Sequence, residues 1–441
     1  MKHQLTHVIF RLRNSSFIKN IFIVMSGTVI AQAIGYALLP LISRLFSPSD
    51  FGIFGSFNAV SGVIAAGVTL EYSQAIMLPK EKGDAINLFF VSCLVTIIIT
   101  IICLVTCLLI PTFLLTMMKS PSIWILALLV FATLVSGFNV TLQAWCVRIK
   151  TFKQTSTSQV YRSLSSNSAQ LGFGYFKGGG TGLIVSNILA DIVASLNLLR
   201  VFMLDLKTSG NDINWDRMKR LAKEYRDFPM YASSQNVINA LSLGLPVLLL
   251  THFFGIAIAG AYTFGMRILS APMGLILRAL RQVLFQKACE TEHQGGNLTS
   301  LYFKSTVGIF TLAFFPSLFL LLWAPQFFTW IFGSQWHTAG QFTQSLVLWM
   351  LFAFCNLPAV LFARLIRIQR TVFLYDLVLL AGRLSVLLLG GLFLTALQTI
   401  TLFSLLGAIM NLYLIFLVGY NVVKKEGHSN WVNIRDALME G

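Results

Sequence analysis

Three arginines sit where a charge is hardest to keep. Arg162, Arg267 and Arg383 lie inside apolar stretches, while nearly all the others of the 32 Lys and Arg residues fall in alternate loops. A cation at the centre of a bilayer costs about 2.5–3.5 kcal/mol even on lenient insertion scales, so such a side chain faces protein or a water-filled cavity. A guanidinium in that position suits an anionic group, because its planar set of donors matches phosphate oxygens. Acids accompany the arginines. Asp191 lies mid-stretch with Asn187 one turn before it, Asp376 precedes Arg383 by seven residues, and Glu71 lies near the end of a stretch. These three serve either as counter-charges or as proton-coupling groups, and the sequence does not say which acid meets which arginine.

The segment around Arg267 has the most regular pattern. Arg278 and Arg281 follow Arg267 by 11 and 14 residues. On a helix Arg278 and Arg281 then lie within about 40° of Arg267, and Gly260, Ala271 and Gly274 share their face. Read as chemistry, this is a basic track for a phosphate-bearing headgroup, flanked by small residues that leave room. Arg278 and Arg281 serve equally well as ordinary anchors at a helix end. Arg267, about 16 Å from the other end of the helix, is harder to explain that way. Asp376 and Arg383 share a face but stand about 10 Å apart along the axis, too far for a direct ion pair. They either line a polar seam or are each neutralised by a neighbouring helix. Arg162 and Glu71 lie closer to helix ends and can extend toward the interface.

The elements that carry these residues are transmembrane helices. Of the 441 residues 56% are hydrophobic and 11% charged, and the mean hydropathy is +0.77. Apolar runs of 18 residues or more recur along the chain, long enough to cross a hydrocarbon core roughly 30 Å thick. Lipid offers the backbone no partners, so each run must be helical. The expected spans are 18–43, 51–77, 85–110, 122–147, 157–176, 182–204, 229–251, 256–284, 304–323, 340–363, 371–393 and 398–422. With the N-terminus inside, cytoplasmic segments hold 26 Lys/Arg and outer segments hold 3. That asymmetry is the positive-inside signature, and an odd number of spans would scramble it. The longest loop contains a charged segment, Trp215 to Tyr225, that reads as an amphipathic surface helix. The predicted organisation is an N-terminal six-helix bundle (1–204), a cytoplasmic linker (205–228), a C-terminal six-helix bundle (229–423) and a cytoplasmic tail (424–441). An offset of 208 residues pairs Phe46 with Phe254, Gly52 with Gly260 and Phe54 with Tyr262. Two parallel six-helix repeats suit a transporter whose halves rock around a central site.

Several classes are excluded. The net charge of +16 is spread through short loops rather than gathered in one domain, so it reads as topology signal and attraction to anionic lipids, not as a nucleic-acid surface. The basic N-terminal segment runs into an apolar stretch too long for a cleaved signal peptide. Six cysteines without a C-x-x-C pair make no zinc or disulfide framework. No phosphate-binding glycine loop is present, and no cofactor, metal site or catalytic residue is expected. The outer loops contain one acid, Asp50, whose S-P-S-D-F-G setting reads as a helix cap; an enzyme working outside would need more. Pro40, Pro246, Pro272, Pro316 and Pro358 mark kinks that act as hinges or as packing features. Gln32 and Tyr36, one turn apart, either line a cavity or pack against a helix.

The stretch R-L-F-S-P-S-D-F-G-I-F-G-S-F, Arg44 to Phe57, resembles the polysaccharide flippase family of the multidrug/oligosaccharidyl-lipid/polysaccharide exporter superfamily. G-A-Y-T-F-G-M-R-I-L-S-A-P-M-G, Gly260 to Gly274, is similar to that superfamily's eighth helix, where R-[IL]-x-x-x-P is shared with the lipid II flippase branch. The resemblance implies that Arg267 meets a pyrophosphate. Twelve spans rather than fourteen, and a first span without a mid-helix Arg or acid, set the chain apart from the lipid II branch itself. The resemblance also implies a V-shaped, all-α transporter of about twelve helices working by alternating access. It would move undecaprenyl-pyrophosphate-linked oligosaccharide, of O-antigen or capsular type, across a bacterial inner membrane with both termini cytoplasmic. A polysaccharide polymerase and a chain-length regulator are the implied protein partners. The alternatives are a cation-coupled multidrug exporter of the same fold and a non-transporting membrane component of polysaccharide assembly.

Overall fold

The computed structural model describes residues 16–119, 122–209, 213–293, 296–366 and 368–439. Among them there are helices and turns but no strand. The order is α1 (Ser16–Leu45), α2 (Pro48–Gly67), α3 (Tyr72–Ala75), α4 (Lys82–Leu109), α5 (Pro111–Met118), α6 (Trp124–Arg148), α7 (Phe152–Tyr175), α8 (Gly179–Ser209) and α9 (Trp215–Glu224). A π-helical turn, Phe228–Ser233, leads into α10 (Ser234–Phe254), followed by α11 (Ile256–His293) and α12 (Leu298–Phe332). After a 3-10 turn come α13 (His337–Cys355), α14 (Leu357–Leu365), α15 (Gln369–Phe393) and α16 (Ala396–Met439). Each of the twelve expected spans overlaps one or more of these helices. Eight helical segments are long and apolar enough to cross a membrane by length and composition alone.

Two spans differ in detail. The second expected span, 51–77, stops as a helix at Gly67, because Leu70 and Glu71 adopt left-handed backbone conformations at φ 45° and 60°. The tenth, 340–363, is two helices, α13 and α14, that meet at Asn356. Pro358 has no N–H to continue the first and sits comfortably in the first turn of the second.

Local sequence explains the joints. Ser47 caps α2: its Oγ accepts the Asp50 amide at 3.3 Å, while the Asp50 carboxylate accepts the Ser47 amide at 2.8 Å. Pro48 follows at the first helical position. S-P-S-D is thus a reciprocal capping box, with an acid placed at the positive end of the helix dipole. Asn214 caps α9 in the same manner, accepting from the amides of Asp216 and Arg217.

Contacts divide the chain into two compact units, Met1–Gly260 and Ala261–Gly441. In the first, Phe89 stacks on Phe202 with centroids 4.0 Å apart, and Trp145 meets both edge-on. In the second, Phe264 stacks on Trp336 at 3.9 Å, and Tyr302 packs edge-on against Phe362. Near its end the first unit holds an unusually close crossing. A Cβ on Gly52 would lie 1.9 Å from the Ile256 carbonyl oxygen, and one on Gly260 would lie 1.7 Å from that of Pro48. The 208-residue offset that pairs Gly52 with Gly260 also pairs Pro48 with Ile256. The two contacts are therefore one contact made twice, as a local pseudo-twofold between the repeats requires.

Candidate functional site

In the first unit the polar groups gather on α7, which packs between α1 and α8. Its sequence is dense in Ser, Thr, Asn and Gln, so it cannot turn its whole surface to lipid. Arg162 of α7 donates from Nε to Asp191 Oδ1 of α8 at 2.5 Å. The backbone around the acid is fixed too. The Asp191 carbonyl accepts from Ser195 Oγ at 2.7 Å and from Asn139 Nδ2 at 3.4 Å, and Asn139 also accepts from Gln143. One turn further along α7, Ser166 donates to Asn187 at 2.9 Å and accepts from Gln170 at 3.1 Å, while Asn167 donates to the Ser163 carbonyl at 2.7 Å. Gln32 Oε1, Asn167 Oδ1 and Gln170 Oε1 are buried and accept no hydrogen bond from the described residues. The result is a polar seam between α1, α7 and α8 with acceptor capacity to spare.

Glu71 lies apart from this seam. Its Oε1 accepts from Asn236 Nδ2 of α10 at 2.9 Å, tying the strained turn after α2 to another helix.

The second unit treats its cation differently. Arg383 of α15 places its guanidinium carbon 4.6 Å from the Trp349 ring centroid on α13 and 5.1 Å from that of Phe403 on α16. The two rings stand edge to face at 84°. Both are buried. The glycine at 407 leaves room for the indole, since a Cβ there would lie 2.6 Å from Trp349 Cδ1. Arg383 Nε is buried and has no hydrogen-bond partner among the described residues; the same holds for Tyr375 Oη. Tyr262, Tyr375 and Asp376 lie within electrostatic range of the guanidinium. No ion pair forms between Arg383 and Asp376, in keeping with their seven-residue separation on one helix. Such an arrangement can hold an anion against a cation.

Arg267 is half-buried on α11, with its Nη1 enclosed and its side chain engaged by its surroundings. Arg281 is exposed on the same continuous helix. The Arg278 side chain lies outside the described residues. Gly274 opens onto free space, with nothing within 4 Å of a Cβ there, whereas Gly265 holds α11 close to Thr343 of α13. Among the described residues no cluster of His, Cys, Asp or Glu could hold a metal ion.

Sequence reasoning missed the aromatic support of Arg383 and the hydroxyl and amide seam of α7. The signal for the seam was present in the polar run Ser163 to Gln170 inside an expected span. Trp349 and Phe403 are ordinary aromatics in apolar helices and gave none.

Eight helical segments long and apolar enough to cross a membrane, with buried amides and hydroxyls between them, fit a multi-spanning membrane protein, and solved structures share the fold. An inward-facing multidrug resistance transporter of the MATE family and MOP superfamily aligns with TM-score 0.68 at 13% identity, over 90% of this chain and 98% of that one. The lipid II flippase MurJ, in an inward closed conformation, aligns with TM-score 0.67 at 11% identity over 92% of each chain. Residues 41–341 match the family described as polysaccharide biosynthesis protein. The chain belongs to that family. It is also similar, at 23% identity over 313 residues, to the succinoglycan biosynthesis transport protein of Rhizobium meliloti. That match covers 69% of this chain and 60% of the relative.

Proposed function

We propose that this protein is a flippase for undecaprenyl-pyrophosphate-linked oligosaccharide. It would carry repeat units of O-antigen or capsular type from the cytoplasmic to the outer leaflet of a bacterial inner membrane. The observation that carries the reading is the setting of Arg383, a buried guanidinium nitrogen without a partner beside two aromatic faces in a helical bundle. A pyrophosphate supplies the missing acceptor. Arg267, with Arg281 and Arg278 further along α11, forms the track by which the charged headgroup moves. Family membership and the transport function of the Rhizobium meliloti relative support the same reading. Two six-helix halves, 1–204 and 229–423, with a cytoplasmic linker at 205–228 and a cytoplasmic tail at 424–441, would alternate access to the site. Product would pass to a polysaccharide polymerase and its chain-length regulator. A cation-coupled drug exporter would need a free acid in the bundle; Asp191 is paired with Arg162, which leaves Asp376 for that role, and the unfilled Arg383 Nε beside it favours an anionic cargo.

The experiment is headgroup translocation in proteoliposomes. Purified protein meets a labelled undecaprenyl-pyrophosphate oligosaccharide, and outer-leaflet accessibility is read with and without a proton or sodium gradient. Wild-type protein should translocate it, Arg267→Ala should not despite normal accumulation, and Arg267→Lys separates charge from donor geometry. Uptake of organic cations without translocation of any lipid-linked glycan would replace this reading with the exporter.

A further inference from the structure

The first unit contains a groove of about 570 Å³ that the transport reading leaves unused. Its walls come from α2 (Val63, Ile64), α4 (Ile102, Cys103) and α10 (Val237, Ile238), and no charged side chain lines it. It reaches from Leu70 and Pro229, beside the turn after α2, to Leu114 of α5 at the opposite end of α4. The groove therefore runs along the depth of the bundle rather than across it. If each carbon takes about the volume of one water, roughly 30 Å³, it accommodates about twenty carbons. That is about four isoprene units.

Charge at one end says what the occupant carries. Leu70 lines the groove, and two residues on, the Tyr72 hydroxyl donates to the Ala222 carbonyl of α9 at 2.9 Å. Helix α9 therefore stands at this mouth, and it presents Arg217, Lys219, Arg220 and Lys223 within ten residues. Of these, Lys219, Arg220 and Lys223 are exposed, Arg220 pairs with Asp84 at 3.4 Å, and Asp216 and Glu224 share the helix. The rim itself is the π-helical turn Phe228–Ser233, whose Pro229 and Ser233 line the groove; such turns recur at functional sites. An uncharged channel ending at a net-basic helix with exposed lysines complements a long hydrocarbon that terminates in a compact, multiply charged anion.

We infer that this groove holds the pyrophosphate-proximal end of the substrate's isoprenoid tail, about four isoprene units, with α9 receiving its pyrophosphate at the docking stage. The inference rests on the flippase reading above and adds to it: this end of the tail is held by the protein instead of trailing through bulk lipid. In the proposed orientation this mouth is cytoplasmic, the side on which the lipid-linked glycan is made.

The test uses the full-length protein in nanodiscs with a diazirine-bearing decaprenyl diphosphate that carries no sugar. Photolabelled peptides are mapped by mass spectrometry. Labels should fall on residues 60–70, 99–107 and 233–238, and unlabelled undecaprenyl diphosphate should displace them while phosphatidylglycerol does not. Val63→Trp should cut groove labelling about ten-fold, the effect of excluding two methylenes, and Val63→Leu should keep it. Ile238→Trp fills the groove from an exposed position on the other wall, so a folding failure at 63 does not blunt the test. Replacing Lys219 and Lys223 with Gln should weaken labelling and flatten its salt dependence. Labelling that phosphatidylglycerol displaces equally well, that survives both Trp variants, or that falls elsewhere overturns the inference. Translocation assayed on the same preparation separates the two readings: translocation without groove labelling sinks the tail site alone, and specific groove labelling without translocation sinks the flippase and keeps the site.

Discussion

Arg162 and Arg383 are both arginines inside apolar bundles, one in each compact unit, and they are kept there by opposite means. Arg162 meets a carboxylate at 2.5 Å, its side chain remains 48% exposed, and the acid's backbone is held by Asn139 and Ser195. Arg383 meets rings in place of oxygens, its Nε is buried, and the nearest acid on its own helix is a seven-residue step away. An in-membrane cation costs about 2.5–3.5 kcal/mol, and a cation–π contact returns about 0.5–2 kcal/mol. Two such contacts return about 1–4 kcal/mol, enough to offset the charge, but they leave the Arg383 Nε donor unfilled, and a bound anion would fill it, whereas Arg162 already meets a carboxylate. A paired arginine fixes two helices to each other, and an arginine supported only by aromatic faces keeps its donors for a ligand.

The largest effect should therefore come from the second unit. Arg383→Ala should lower translocation about ten- to hundred-fold, the loss of one charge-assisted hydrogen bond of about 1.5–3 kcal/mol, with little change in melting temperature. Arg383→Lys keeps the charge but loses the planar stack and should fall between. Arg162→Ala in the same assay should cost less transport and more stability. The reverse ranking, with Arg162 dominating transport, would break the contrast.

A smaller effect tests the pair itself. Asp191→Ala and Arg162→Ala should each lower the melting temperature, and the double variant should be more stable than their sum predicts. The coupling should be about 0.5–1 kcal/mol, modest because the pair is partly exposed. Additive losses would show that the 2.5 Å contact is incidental. If Asp191→Asn abolished gradient-driven transport while leaving stability intact, Asp191 would be a proton carrier and the neutralised reading of the first unit would fail.

How far the sequence revealed this contrast depends on the range of the interaction. Local rules were legible: Ser47 and Asp50 form the cap that their spacing announces, Trp215–Glu224 is the expected surface helix, and twelve apolar periods became helices. The 208-residue offset was visible in a few residues, and the reciprocal contacts of Gly52 with Ile256 and Gly260 with Pro48 give it a physical cause, since both positions must lack a Cβ. What could not be read was partnership across distance. Asp191 meets Arg162 because α7 and α8 pack, and nothing in a span of Ser and Asn residues identifies which acid a neighbouring helix will present. Trp349 and Phe403 lie on helices flanking Arg383 in sequence, but an aromatic that supports a cation looks like one that faces lipid. The turn at Leu70–Glu71 escaped because hydropathy runs straight through it.

The finest test of the Arg383 setting touches neither the arginine nor its rings. Gly407 sits beneath Trp349, where a Cβ would come within 2.6 Å of the indole Cδ1. Gly407→Ala must push the ring aside, because the contact is with a rigid aromatic in a filled interior and not with the end of a flexible chain. Moving the indole by a few tenths of an ångström leaves the charge and the aromatic composition unchanged and alters only their registry. Transport should drop a few-fold, and Trp349→Leu, which removes the ring and its cation–π contribution, should drop it somewhat further. In the Gly407→Ala, Trp349→Leu double variant the glycine change should lose most of its effect, since the alanine then has no indole to displace. If Gly407→Ala instead costs the same with or without Trp349, the methyl acts through α13 and α16 packing, and the aromatic shelf is not what positions the guanidinium.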